Sequence, residues 1–155
     1  MLSWRPVAQT DRQRLWNLFQ KYLYEMTNYY DDELDGEGNY RYGYFDRYFE
    51  EPDREALFLW DGDTLVGFAM LNRHSCLGET VDHALAEFTI FPMYRRQHLG
   101  LEAARMLFAG RPGRWELKYS GENTAAKALW TKATRPYDPK ASQYQETETV
   151  LSFTV

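Results

Sequence analysis

Apolar residues recur along the chain in two rhythms, one helical and one alternating, and these divide it into a short series of elements. Leu15, Leu18, Phe19, Tyr22, Leu23 and Met26 repeat at helical spacing and predict an amphipathic helix over residues 11–27. Thr10 and Gln13 ahead of it have the pattern of a capping box. Residues 2–8 read as a strand that Pro6 confines to a sheet edge. Residues 28–39 are acidic and turn-rich, a loop, and residues 40–50 predict a second short helix with Tyr44, Phe45, Tyr48 and Phe49 on its apolar side. Residues 56–60 and 64–72 are strands joined by Asp61-Gly62-Asp63, which predicts a hairpin. Residues 73–78 are a loop, and residues 84–91 form the next strand, stopped by Pro92. A helix over 95–109 places Leu99, Ala103, Met106 and Leu107 on one face and ends at Gly110 and Pro112. Trp115, Leu117 and Tyr119 alternate as a strand. Residues 123–133 are a helix with Ala126, Leu129, Trp130 and Ala133 inward, and residues 143–155 hold one or more closing strands.

Strand, two helices, three strands, helix, strand, helix and closing strands make an α/β (α+β) order. No internal repeat, linker or low-complexity tract interrupts it, so a single domain over residues 1–155 is expected. At 155 residues the chain can bury a real core. Composition changes this picture in three respects. A net charge of −5 argues against a general nucleic-acid binder, which would show a basic face. One cysteine, Cys76, excludes an internal disulfide, and no Cys/His spacing suggests a metal site. No apolar run approaches a membrane span, and the first six residues lack the regions of a signal peptide; a cytoplasmic protein without membrane partners is expected.

The chemistry concentrates in one turn. After the strand that ends at Phe91 come Arg95-Arg96-Gln97-His98-Leu99-Gly100-Leu101, where a helix opens. Such a turn holds free backbone N–H groups at a helix N-terminus, and both the amides and the helix dipole favour a bound phosphate. Gly100 would let the ligand approach the backbone, and Arg95 or Arg96 would add charge-assisted bonds.

The run Arg95-Arg96-Gln97-His98-Leu99-Gly100 resembles the acetyl-CoA segment of the GCN5-related N-acetyltransferases, Arg/Gln-x-x-Gly-x-Gly/Ala after a strand. His98 replaces the first glycine and Gly100 keeps the second. A second run resembles the same family's last helix, Asn-x-x-Ala-x-x-Leu-Tyr-x-Lys: Asn123, Ala126, Leu129 and Lys132 match, Trp130 replaces the tyrosine, and Arg135-Pro136-Tyr137 stands where a Gly-Phe is usual. The order of elements matches over nearly the whole chain. The resemblance implies a mixed twisted sheet flanked by about four helices, with acetyl-CoA as cosubstrate and an amine acceptor, and it leaves a homodimer open.

It also implies roles. Residues 95–101 and Asn123 would bind the cofactor. The strand ending at Phe91 would splay from the one after it, so that backbone groups near Phe88 and Ile90 bond the pantetheine arm and the thioester oxygen. Glu87 would accept the amine's proton, or else bind the substrate's cation; alternation puts Glu87, Thr89 and Phe91 on one face. His83 is an alternative base. With Trp130 in the tyrosine's place, Tyr137 or Tyr119, or solvent, would protonate the departing thiolate. Cys76, beside His74, is the weaker choice of a covalent carrier. Tyr29 and Tyr30, with Asp31, Asp32 and Glu33, suit a cationic acceptor. The direct reading is N-acetyl transfer to a small-molecule or peptide amine. A non-catalytic acyl-CoA-binding module on the same fold is the alternative, and a phosphate-binding protein of another family is the third.

Overall fold

The computed structural model describes residues 1–155. Seven strands make one sheet: β1 (Leu2–Pro6), β2 (Glu55–Asp61), β3 (Thr64–Asn72), β4 (His83–Ile90), β5 (Arg114–Ser120), β6 (Lys140–Tyr144) and β7 (Glu148–Thr154), in the order β1-β2-β3-β4-β5-β7-β6. Every neighbouring pair is antiparallel except β4 and β5, which are parallel. The parallel step requires a crossover, and α2 (Leu99–Ala109) supplies it. α1 (Arg12–Met26) and α3 (Thr124–Thr134) complete the helices. No helix is long and apolar enough to cross a membrane.

Alternation along the strands sends side chains to two layers. Leu57, Ala69, Leu85, Trp115, Leu117 and Tyr119 meet α2 and α3 on one face. Ala56, Phe58, Phe68 and Met70 meet Leu15 and Phe19 of α1 on the other, with Phe45 and Tyr48 from the connection. Phe19 is fully buried and has four aromatic neighbours, Tyr22, Tyr42, Phe45 and Phe68, so it seats α1 and the connection after it on the sheet.

Three expectations change. Residues 40–50 form no α-helix; only the 3₁₀ turn Asp46–Phe49 is helical there, leaving three α-helices rather than four. Gly43 and a run of aromatics weaken an α-helix, and a tight turn suffices to bury both Phe45 and Tyr48, three residues apart. Thr10 lies inside the 3₁₀ turn Gln9–Asp11, so Asp11 becomes the N-cap, no capping box forms, and Gln13 bonds Asn17 instead. The helix expected from residue 95 starts at Leu99, after a 3₁₀ turn Pro92–Tyr94 and four residues of irregular backbone. Elsewhere β1 is an edge strand, β2 and β3 form the hairpin, and β6 and β7 close the sheet. Gly67 of β3 faces Ile90 of β4, and a Cβ there would run into the Thr89 carbonyl. That close approach holds the end of β4 that leads into the turn.

Candidate active site

β4 and β5 pair only where His83–Leu85 run beside Trp115–Leu117. Beyond that point β4 continues to Ile90 and β5 to Ser120 without pairing to each other. A β-bulge contributes to the parting. Leu71 faces Leu85 and Met70 faces Glu87, so Ala86 is an extra residue on β4 and bends it. Phe91 N–H donates to Val66 of β3. By alternation, the backbone groups of Ile90 and Phe88 turn to the opposite edge, into the gap.

Two cavities occupy this gap. One, of about 550 Å³, runs from the turn after β4 along Thr89 and Ile90 to Leu129 of α3. The other, of about 350 Å³, runs under Met26, Tyr30 and Tyr42 to Glu87 and Lys118. They share Tyr22, Met26, Phe88, Asn123, Ala126 and Trp130 as walls, and so form one groove.

At the outer end of the groove the chain lays out donors. The backbone N–H groups of residues 96–101 find no acceptor within the protein, and no side chain caps α2. Arg96 and His98 are both in the left-handed region, at φ 64° and 61°. Successive amides in such a conformation make an anion-binding concavity, here at the positive end of α2. The atoms nearest a Cβ on Gly100 would be those of the Ile90 and Leu129 side chains, at 3.7 Å, an ordinary contact distance. The fold therefore tolerates a side chain at position 100, and the bareness of that backbone leaves room for something outside the protein.

The left-handed turn also explains position 98. A glycine adopts φ 61° freely, whereas another residue loses about 1–2 kcal/mol there, and a β-branched one more. His98→Gly gives back part of that gain through a more flexible unfolded chain, about 0.4–1 kcal/mol. Thermal melts should show His98→Gly at or above the parent Tm and His98→Val below it. A higher Tm for the valine variant would mean that the turn is not left-handed.

Arg95 is engaged inward rather than free for a ligand. Its guanidinium binds both carboxylate oxygens of Glu25 at 2.6 and 2.7 Å, its Nε donates to the Ile90 carbonyl at 2.7 Å, and Nη2 reaches the Thr89 hydroxyl at 3.2 Å. This fork clamps the C-terminal turn of α1 to the end of β4. Arg96 forms no ion pair and lines the outer cavity, so of the two arginines it is the one available to an anion.

At the inner end Glu87 shares a face with Met70, on the α1 side, and Thr89 and Phe91 follow it there. The Tyr42 hydroxyl donates to Glu87 Oε1 at 3.4 Å. Burial raises the carboxyl pKa from 4.5 to about 7, against the opposing effects of hydrogen bonding from Tyr22, the Lys118 charge and Tyr42. Both protonation states are then populated at neutral pH, as a group that takes up and returns a proton requires.

The remaining expected residues fall in different places. Phe88 and Asn123 line both cavities; Ile90, His98, Leu99, Gly100 and Leu101 line the outer one; Gln97 lines neither. Asn123 caps α3 by accepting from the Ala126 N–H at 3.1 Å. Tyr30 lies in the inner cavity, but Tyr29 lies in the outer one. Tyr137 reaches neither, because its ring packs on Phe108 and Phe153, while Tyr119 lines the inner cavity. His83 packs on Trp115 and its ring meets the Pro112 carbonyl, outside the groove. Burial pushes the Cys76 thiol up, which disfavours a nucleophilic thiolate. Tyr22 and Tyr42 are further aromatic walls of the inner cavity, and Lys118 and Arg41 are walls that no local pattern singled out.

Residues 12–134 match the model of the acetyltransferase (GNAT) family. No curated protein sequence matches the chain. Among solved structures, an acetyltransferase from Thermus thermophilus superposes with a TM-score of 0.70 at 19% identity, covering 100% of this chain and 97% of that one. Spermidine N-acetyltransferase from Vibrio cholerae, in complex with CoA and spermine, gives 0.66 at 13% identity over 99% and 94% of the two chains. An aminoglycoside acetyltransferase in complex with coenzyme A and kanamycin gives 0.68 at 11% identity over 99% and 95%. At these identities the likeness to the solved structures is one of fold.

Proposed function

This chain belongs to the acetyltransferase (GNAT) family, and from that premise we propose that it moves the acetyl group of acetyl-CoA directly to the amine of a small cationic molecule or peptide. The observation that carries the reading is the gap between β4 and β5, with unpartnered amides at one end and Glu87 at the other. Acetyl-CoA supplies an activated acyl group as its thioester, and the groove offers what that molecule needs. The amides of residues 96–101 and the Arg96 guanidinium would hold the pyrophosphate. The Phe88 backbone groups and the Ile90 N–H on the unpaired edge of β4 would hydrogen-bond the pantetheine arm as a neighbouring strand does, the Ile90 carbonyl being held by Arg95, and an N–H near Phe88 would bond the thioester oxygen as it gains charge.

Glu87 would take a proton from the bound ammonium, leaving a neutral amine to attack the carbonyl carbon. The new C–N bond forms, the C–S bond breaks, and the thiolate leaves along the wall made by Trp130. An indole N–H is no acid at neutral pH. Attack leaves a second proton on the nitrogen, which passes to solvent as the intermediate collapses, and the proton on Glu87 is released to water. Of the two candidate tyrosines only Tyr119 lines the cavity, and Tyr119, refilled from solvent, or solvent itself gives the sulfur its proton. The rings of Tyr22, Tyr30 and Tyr42, with Asp31 and Asp32 near the mouth, favour a positively charged acceptor. Two solved relatives of the same fold hold the amines spermine and kanamycin, which accords with that choice. A thiol product, CoA, and a lone free cysteine fit a reducing compartment, and a cytoplasmic location is part of this proposal.

Trp130 in the place of the family's tyrosine supports a second reading, an acyl-CoA-binding module without turnover. Acetyl-CoA at 100 times its dissociation constant should stabilise the protein by about 2.7 kcal/mol, read as a rise in Tm. No rise would remove both readings. Acetyl-CoA consumption over a panel of amines then separates them, since the binding module consumes none.

A further inference from the structure

Glu148 is a buried acid with no part in the steps above. It is 4% exposed, yet its charge is not isolated. On β7 it stands opposite Ser120 of β5, so its side chain emerges on the same face as Lys118, diagonally along the ladder. Lys118 Nζ lies 3.6 Å from Glu148 Oε2, and the Tyr30 hydroxyl donates to that same oxygen at 3.1 Å. The Tyr144 ring of β6 lies 5.4 Å from the ammonium. Lys118 and Tyr30 are walls of the inner cavity together with Glu87, and Glu148, which is not a wall, bonds both from outside it. A buried carboxylate is costly unless paired, and here one acid holds two side chains on the acceptor's path.

We propose that Glu148 is a positioning residue for proton removal, fixing the Lys118 ammonium and the Tyr30 hydroxyl at the acceptor cavity and offsetting the positive charge that Glu87 meets. This rests on the reading of Glu87 as the base. Without Glu148 the Lys118 charge would act on Glu87 uncompensated, and Glu87 would hold its proton too weakly near neutrality to serve as a base of matched strength. The other groups facing Glu87 do not supply this control. Tyr22 of α1, Tyr30 and Tyr42 of the connection and Tyr48 of its 3₁₀ turn are all pushed up, mainly by burial, and stay neutral. Asp31, Asp32 and Arg41 stand nearer the mouth, where water screens them.

The test is a titration of the whole unliganded chain carrying ¹³C-labelled glutamate, with the Glu87 signal identified by its loss in Glu87→Gln. Glu148→Gln should lower the Glu87 midpoint by about one pH unit, and Lys118→Met should raise it by a similar amount. The acid limb of kcat/KM should move with each. Midpoints that stay put, or that move in the same direction in both variants, would overturn the proposal, because lost packing has no charge-dependent sign. Shifted midpoints beneath an unmoved acid limb would uphold the hold of Glu148 on Lys118 and remove Glu87 as the base. Should Glu148→Gln fail to fold, Lys118→Met on a partly exposed side chain carries the test through its upward shift.

Discussion

Glu87→Gln should leave the fold and the acetyl-CoA affinity intact while turnover falls by a factor on the order of 10² to 10⁴. The amide keeps the shape of the carboxyl and its contact with the Tyr42 hydroxyl, 3.4 Å away, but accepts no proton. With the parent carboxyl titrating at about 7, activity should rise with pH through that value, since only the ionised form is a base. The variant should lose this limb. Turnover retained with a raised acceptor KM would make Glu87 a binding residue. A second signature is independent of catalysis. The folded-state pKa lies above the unfolded value near 4.5, so the native state keeps a proton that the unfolded chain has released between pH 4.5 and 7. Stability from this group is fully present below 4.5 and is lost as pH rises through 7. Denaturation measured across that window should show a shallower decline in the variant than in the parent.

Gly100→Glu should fold and fail to bind acetyl-CoA. A Cβ at this position meets Ile90 and Leu129 at ordinary contact distance, and a carboxylate in the first turn of α2 suits the helix dipole. The same carboxylate would stand where the pyrophosphate has to approach. Two like charges at 4 Å near a protein surface repel by about 4 kcal/mol, roughly a thousandfold in affinity. Gly100→Ala should lose less, since it adds bulk without charge. Arg96→Ala should also lose less, and its deficit should shrink as salt is raised because the guanidinium is exposed. Calorimetry on the folded Gly100→Glu protein with unchanged affinity would move the pyrophosphate elsewhere.

Much of this groove is spelled out by short stretches of chain. Pro92 marks the end of β4, Gly110 the end of α2 and Asn123 the start of α3, because turns and caps are settled within a few residues. Alternation placed Glu87, Thr89 and Phe91 on one face, and the register against Met70 and Phe68 has them there. The same local logic misjudged residues 40–50, where aromatic spacing suited a helix but packing against Phe19 took the residues into a 3₁₀ turn.

What the sequence determined by itself was the family, the order of the elements apart from the helix expected over residues 40–50, and the turn after β4, all carried by motifs and periodicities confined to short stretches of neighbouring residues. Only the tertiary structure decided how the site is furnished. Glu87 meets Tyr42 from 45 positions away, Arg95 meets Glu25 from 70, and Tyr30 meets Glu148 from 118. The placement of Tyr137 on Phe108 and Phe153 rather than in the groove was set in the same way. Such pairings follow from the strand order β4-β5-β7-β6 and from where β4 and β5 part, and a sheet's order is fixed by packing among all its strands at once.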